Sequence, residues 1–283
     1  MWSLTRPART ARETYVACIS RVRDPALKTR LEGVTQAIVD ASAAFKAAAA
    51  RQDLHRIARD VTVGGTVTRD EMEAVYTQRM AKKGSPGRDT YDELISAPSQ
   101  GRCPLCGGRL VTTLDHHLPK ALYPALAVAP LNLVPSCGDC NKAKLALVPR
   151  NAADVSLHPY FDHIDDERWL RADVDETRPA ALVFRVEAPG GMWGDLMQRR
   201  VRNHFGTFGL AELYATLAAE ELLNIRHQLT DLYATAGVDG VRSQLQDRAL
   251  SCGQARRNGW RTAAYEAWSA SEWFCNGGFA YPG

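Results

Sequence analysis

The chain has 283 residues, 45% of them hydrophobic, and carries 35 Lys and Arg against 32 Asp and Glu, for a formal net charge of +3. Length and apolar content are enough for about two domains with substantial cores. The first ten residues lack the roughly 7 to 15 apolar positions of a secretory signal, and no apolar run approaches the roughly 18 that span a membrane, so a cytoplasmic, non-membrane protein is expected.

Residues 8–60 read as helical. Leu27, Leu31, Val34, Ile38 and Phe45 recur at helical steps and mark one buried stripe. Glycines and β-branched residues interrupt the pattern at 61–68, after which Thr68 and Glu71 form a capping box for a helix running toward Met80. A turn over 82–88 and a short helix over 91–96 lead to the most informative part of the chain, residues 103–144.

That window is framed by two CxxC pairs, Cys103 with Cys106 and Cys137 with Cys140. Four of seven cysteines so paired suggest metal in a reducing compartment more than a disulfide framework, and Cys18, Cys252 and Cys275 are expected to be buried thiols. Between the pairs, 110–114 reads as a strand that runs into Asp115, His116 and His117. A short apolar segment then follows Asn132, and a helix starts near Cys140 with Asn141 on its first turn. Four soft sulfurs suit a closed tetrahedral zinc site, whereas an Asp and an amide oxygen leave positions open for water and phosphate on a harder cation such as Mg²⁺ or Mn²⁺. An imidazole suits proton abstraction from water at neutral pH, a role that His116 fits. Residues 101–150 hold six basic and two acidic side chains, an excess that favours a polyanionic partner, with Lys120, Lys142 and Lys144 as the expected phosphate contacts. His117 and His158 are expected to pack as structural residues.

Beyond the window, an acidic stretch precedes two strands at 168–174 and 181–186, read as a hairpin. Helical periodicity returns from Asp195, with Leu222, Ile225, Leu229 and Leu232 on one face. This helical layer is expected to pack against the N-terminal helices.

In the order CxxC, Asp-His followed three residues later by Pro, Asn-Leu, then CxxC-Asn with a trailing Lys, the chain resembles the HNH endonuclease family. The residues that carry the resemblance are Cys103, Cys106, Asp115, His116, Pro119, Asn132, Leu133, Cys137, Cys140, Asn141 and Lys144. It covers roughly residues 100–150. It implies a ββα-metal core with His116 as general base, Asp115 and Asn141 on one divalent cation, Asn132 bracing the loop that orients the histidine, and structural zinc on the four cysteines. The resulting expectation is an α+β protein: a helical segment over 1–99, the zinc-stapled nuclease core over 100–160, and a hairpin with a helical segment over 161–283. The flanking helices are expected to position substrate, or to serve a protein partner or homo-oligomer. Double-stranded DNA is the first substrate expected, with single strands and RNA as alternatives, and phage defence in bacteria as the setting. The competing expectation is a zinc-stapled module that binds nucleic acid without cutting it, although the gap between the CxxC pairs exceeds the roughly 15 to 20 residues of a compact ribbon.

Overall fold

Thr10 and Glu13 open the first helix with a reciprocal cap, each side chain accepting from the other residue's backbone N–H. In the computed structural model, which describes residues 1–144, 149–189, 191 and 193–280, this cap begins α1 (Ala11–Ile19). It is followed by α2 (Pro25–Gly33) and α3 (Thr35–Ala50). The helical reading of residues 8–60 thus resolves into three helices. The Asp24 side chain accepts from the N–H groups of Ala26 and Leu27, and Pro25 fits the first helical position because it has no N–H to satisfy.

A minimal hairpin of β1 (Thr62–Val63) and β2 (Val67–Thr68) leads into α4 (Arg69–Tyr76), capped by Thr68 and Glu71 as expected from the sequence. Glu71 also accepts two hydrogen bonds from the Arg30 guanidinium, at 2.6 and 2.9 Å, which pins α2 to the start of α4. A π-helical turn over Thr77–Ala81 and α5 (Arg88–Ser96) complete the helical part.

Two four-residue strands, β3 (Thr113–His116) and β4 (Leu133–Ser136), pair antiparallel, with Asp115 opposite Val134 and His116 opposite Leu133. β3 begins later than the sequence suggests. Leu110 instead makes an isolated bridge with Arg102 and stays 59% exposed, so Asp115 and His116 lie within the strand. Helix α6 (Gly138–Lys144) follows β4 directly.

The chain divides into two compact units, Met1–His163 and Ile164–Gly283. In the first, Tyr15, Ile38 and Phe45 from the N-terminal helices share one hydrophobic core with Leu114, Leu118, Leu126, Val128 and Leu133 from the cysteine window. The segments 1–99 and 100–160 therefore have a common interior. In the second, β5 (Leu170–Asp175) and β6 (Ala181–Val186) form the expected hairpin. It is followed by α7 (Asp195–Thr207), the long α8 (Leu210–Ala255) and α9 (Trp260–Ala270). α8 breaks at Gly237, whose φ of 64° and ψ of −159° are open only to glycine. The apolar faces of α8 and α9 meet each other and pack on β6 and β5, so these helices find partners within their own unit. Buried Asn258 ties them to the hairpin: its amide oxygen accepts from the Trp169 N–H at 2.9 Å and its nitrogen donates to the Glu167 carbonyl at 2.7 Å. Among the described residues, no helix is long and apolar enough to cross a membrane.

Candidate functional site

The two CxxC segments reach one point from opposite ends of the window. Cys103 and Cys106 lie in a tight knuckle in which the Cys103 N–H donates to the Arg109 carbonyl at 2.8 Å and the Gly107 N–H donates to the Cys103 carbonyl at 2.7 Å. Gly107 has a φ of +64°, and a Cβ there would lie 3.0 Å from the Trp2 indole, so both the turn and the close approach require glycine. Cys137 follows β4 and Cys140 lies in α6, with the Cys140 N–H directed at the Cys137 sulfur at 3.4 Å. Arg109 Nε and Asp139 Oδ2, 2.8 Å apart, clamp the two halves together.

All four cysteines are buried and unoxidised, and their sulfurs lie within 4.8 Å of one another, with Cys106 and Cys137 at 4.0 Å. A tetrahedral zinc with bonds of about 2.3 Å separates its sulfurs by roughly 3.8 Å, so this cluster could hold a structural zinc ion. The donor chemistry agrees. Contact among the sulfurs pushes the Cys103 and Cys140 thiols up and the Cys106 and Cys137 thiols down, because four thiolates cannot accumulate together without a compensating cation.

On β3, Asp115 is only 4% exposed, and its Oδ2 accepts from Lys144 Nζ at 2.7 Å. The same ammonium donates to the His116 carbonyl at 2.5 Å. Burial raises the Asp115 carboxyl from its ordinary range, and the Lys144 charge opposes that shift. Asp115 Oδ1 accepts no hydrogen bond among the described residues. Asn141 stands one turn before Lys144 on α6 and so shares its face of the helix.

The half-buried His116 ring makes contacts separate from those of Asp115. Its Nε2 lies 2.8 Å from the Ala127 carbonyl. A carbonyl only accepts, so Nε2 carries the hydrogen and Nδ1 keeps a lone pair. Tyr76 meets the ring edge-on at 4.4 Å, and burial pulls the imidazole down to about 3, which leaves it neutral at physiological pH.

Asn132, fully buried, clasps the loop between β3 and β4. Its Oδ1 accepts from the Leu118 N–H at 2.7 Å, while Nδ2 donates to the carbonyls of Leu118 and Leu126 at 3.0 and 3.2 Å. His117 packs its ring 4.3 Å from that of His158. His158 Nε2 donates to the Leu131 carbonyl at 3.0 Å, and its Nδ1 accepts from the Tyr160 N–H at 3.2 Å.

Of the expected phosphate contacts, Lys142 is exposed and Lys120 pairs with Glu73 at 3.2 Å. Lys144 differs from expectation: it is 4% exposed and committed to Asp115 and the His116 carbonyl, which withdraws its charge from solvent. The sequence also gives no sign of Tyr76 or the Ala127 carbonyl as neighbours of His116. Neither has a local signal, since both reach His116 only through the fold.

Two comparisons, one with family models and one with solved structures, match nothing. Among curated proteins, the chain is similar to Protein ea31 of Escherichia phage lambda, 28% identical over 237 residues, an alignment that covers 79% of this chain and 79% of that protein.

Proposed function

We propose that the chain is a metal-dependent endonuclease of the HNH type that hydrolyses phosphodiester bonds, with double-stranded DNA as first substrate. The reading rests above all on the geometry of His116, whose Nε2–H is held by a backbone carbonyl and whose Nδ1 is left with its lone pair. It sits in a β3–β4–α6 arrangement beside a buried carboxylate and a cluster of four cysteines.

In this mechanism Nδ1 of His116 takes a proton from water, and the resulting hydroxide attacks phosphorus as the bond to the 3′ oxygen breaks. Ala127 fixes the tautomer, and the Asn132 clasp holds the loop that presents that carbonyl. Asp115, through Oδ1, and Asn141, through its amide oxygen, would hold Mg²⁺ or Mn²⁺, a hard-donor set with room for water and phosphate. When bound, the cation supplies a Lewis acid for the phosphoryl oxygens and the departing oxygen. The four cysteines would hold structural zinc.

One observation favours a second reading, a zinc-stapled module that binds nucleic acid without cutting. Lys144 already neutralises Asp115, as a purely structural site requires. Nicking of supercoiled plasmid by the wild type and His116→Ala, with Mg²⁺, with Mn²⁺ and with neither, separates the two. The nuclease reading expects metal-dependent cutting that drops at least about 100-fold in the variant, the scale of a lost general base. No cutting of plasmid, single-stranded DNA or RNA by the wild type would leave the binding module. The similar protein ea31 belongs to a phage, which gives a mobile-element setting as much support as phage defence.

A further inference from the structure

We propose that a basic groove in the first unit, between residues 6–12 and α3, binds the backbone of single-stranded nucleic acid. The groove has a volume of about 510 Å³, and its walls carry Arg6, Arg9, Arg12 and Lys46 with no carboxylate among the lining residues. Arg9 is matched by Glu93, both carboxylate oxygens lying at 2.7 Å. The other three cations are exposed, and none has an ion pair among the described residues.

Their present partners are neutral. Arg12 donates to the Gln36 amide oxygen at 2.6 Å. Arg6 Nε donates to the Tyr160 carbonyl at 3.0 Å, and its guanidinium lies 4.5 Å over the Phe161 ring. That packing fixes the guanidinium plane while leaving its terminal nitrogens to a ligand, at little entropic cost. The carboxylates on the same helices, Glu13 and Asp40, are hydrogen-bonded to Thr10 and Gln36 and do not line the groove.

Arg6 and Arg12 stand six positions apart along one wall, with Lys46 on α3. Charges spread in this way match repeating phosphates better than a single compact anion. Small side chains such as Ala8, Ala11 and Ala43 complete the walls and leave room for a sugar-phosphate backbone. A cavity of this size takes a drug-sized ligand, so roughly one or two nucleotides of a single strand fit inside it. Pro130 and Leu131 also line it and lead directly into Asn132, which holds the loop bonded to His116. That the strand continues to a cleavage site rests on the function proposed above; binding in the groove does not.

The test is fluorescence anisotropy with a labelled single strand of about 20 nucleotides and the full chain, over a salt series without added Mg²⁺ or Mn²⁺. In Arg12→Gln/Lys46→Gln, affinity at low salt should fall at least about tenfold. The slope of log affinity against log salt should flatten by about 1.4, that is about 0.7 for each lost phosphate contact, with an unchanged melting temperature. Lys46→Glu alone repeats the test with one change on an exposed helical face. Wild-type affinity and slope in these folded variants would overturn the proposal. So would displacement of the strand by polyglutamate as readily as by unlabelled strand, which would point to an acidic protein partner. Plasmid cutting that persists beside unchanged strand binding would remove the groove and leave the nuclease; strand binding lost in the variants of a chain that never cuts would do the reverse.

Discussion

Lys144 and Asp115 stand 29 positions apart in the chain and 2.7 Å apart in the fold, each about 5% exposed at the side chain. An ion pair so placed is strongly asymmetric in its energetics, because removing one partner leaves a charge without solvent or counter-charge. Lys144→Ala is therefore expected to destabilise the protein by about 3 to 5 kcal/mol in thermal or denaturant unfolding. Added Mg²⁺ should recover part of the loss if Asp115 holds a cation. His116 also carries a pH signature: burial lowers its pKa, so the neutral, proton-accepting form persists well below the ordinary imidazole range. Cleavage rates should stay level from pH 8 down through pH 6, and a fall centred near 6.5 would mean a solvated imidazole. At this scale the cysteines were legible, because their spacing is local and restricts the chemistry. The commitment of Lys144 was not, since its family-like position says nothing of what lies opposite in space.

Glu71 links two elements, accepting from Thr68 at the start of α4 and from Arg30 on α2. The Arg30 hydrogen bonds, foremost, hold its carboxyl at about 2, against an ordinary 4.5. A depressed carboxylate stabilises the fold above its unfolded pKa, and that contribution is lost as the pH falls through the folded one. Glu71→Gln should therefore cost about 1 to 2 kcal/mol at pH 7, discounted for the partial exposure of the pair. The difference from wild type should shrink from about pH 4.5 and vanish near pH 2, as followed by urea midpoints. The cap itself was readable from Thr68 and Glu71. The division of residues 8–60 was less so: Asp24 and Pro25 carry the signal, but the apolar stripe from Leu27 to Phe45 continues in register across the junction of α2 and α3 and masks it.

Across the whole first unit, the strands and loop of the cysteine window and the N-terminal helices are not energetically separate, since residues of both belong to one core. Cys137→Ser should lower bound zinc from about one per chain toward zero and reduce the melting temperature of that unit, with loss of α1–α3 helicity as well as of the knuckle. Retained zinc and an unchanged melt would show that the cysteines are not a metal staple. This sharing was invisible in the sequence because it depends on contacts among Phe45, Leu126 and Leu133, whose periodicities predict burial without naming what each residue is buried against. The N-terminal segment shows the same interdependence. The Trp2 N–H donates to the Pro104 carbonyl at 2.7 Å, and the Leu4 N–H to the Pro159 carbonyl at 2.8 Å. During synthesis Trp2 leaves the ribosome about a hundred residues before Pro104, a delay of several seconds at roughly 5 to 20 residues per second. The N-terminal segment that packs on the knuckle is thus made early and seated late: the Trp2 N–H stays bonded to water until Pro104 has emerged, and the Leu4 N–H until Pro159 has.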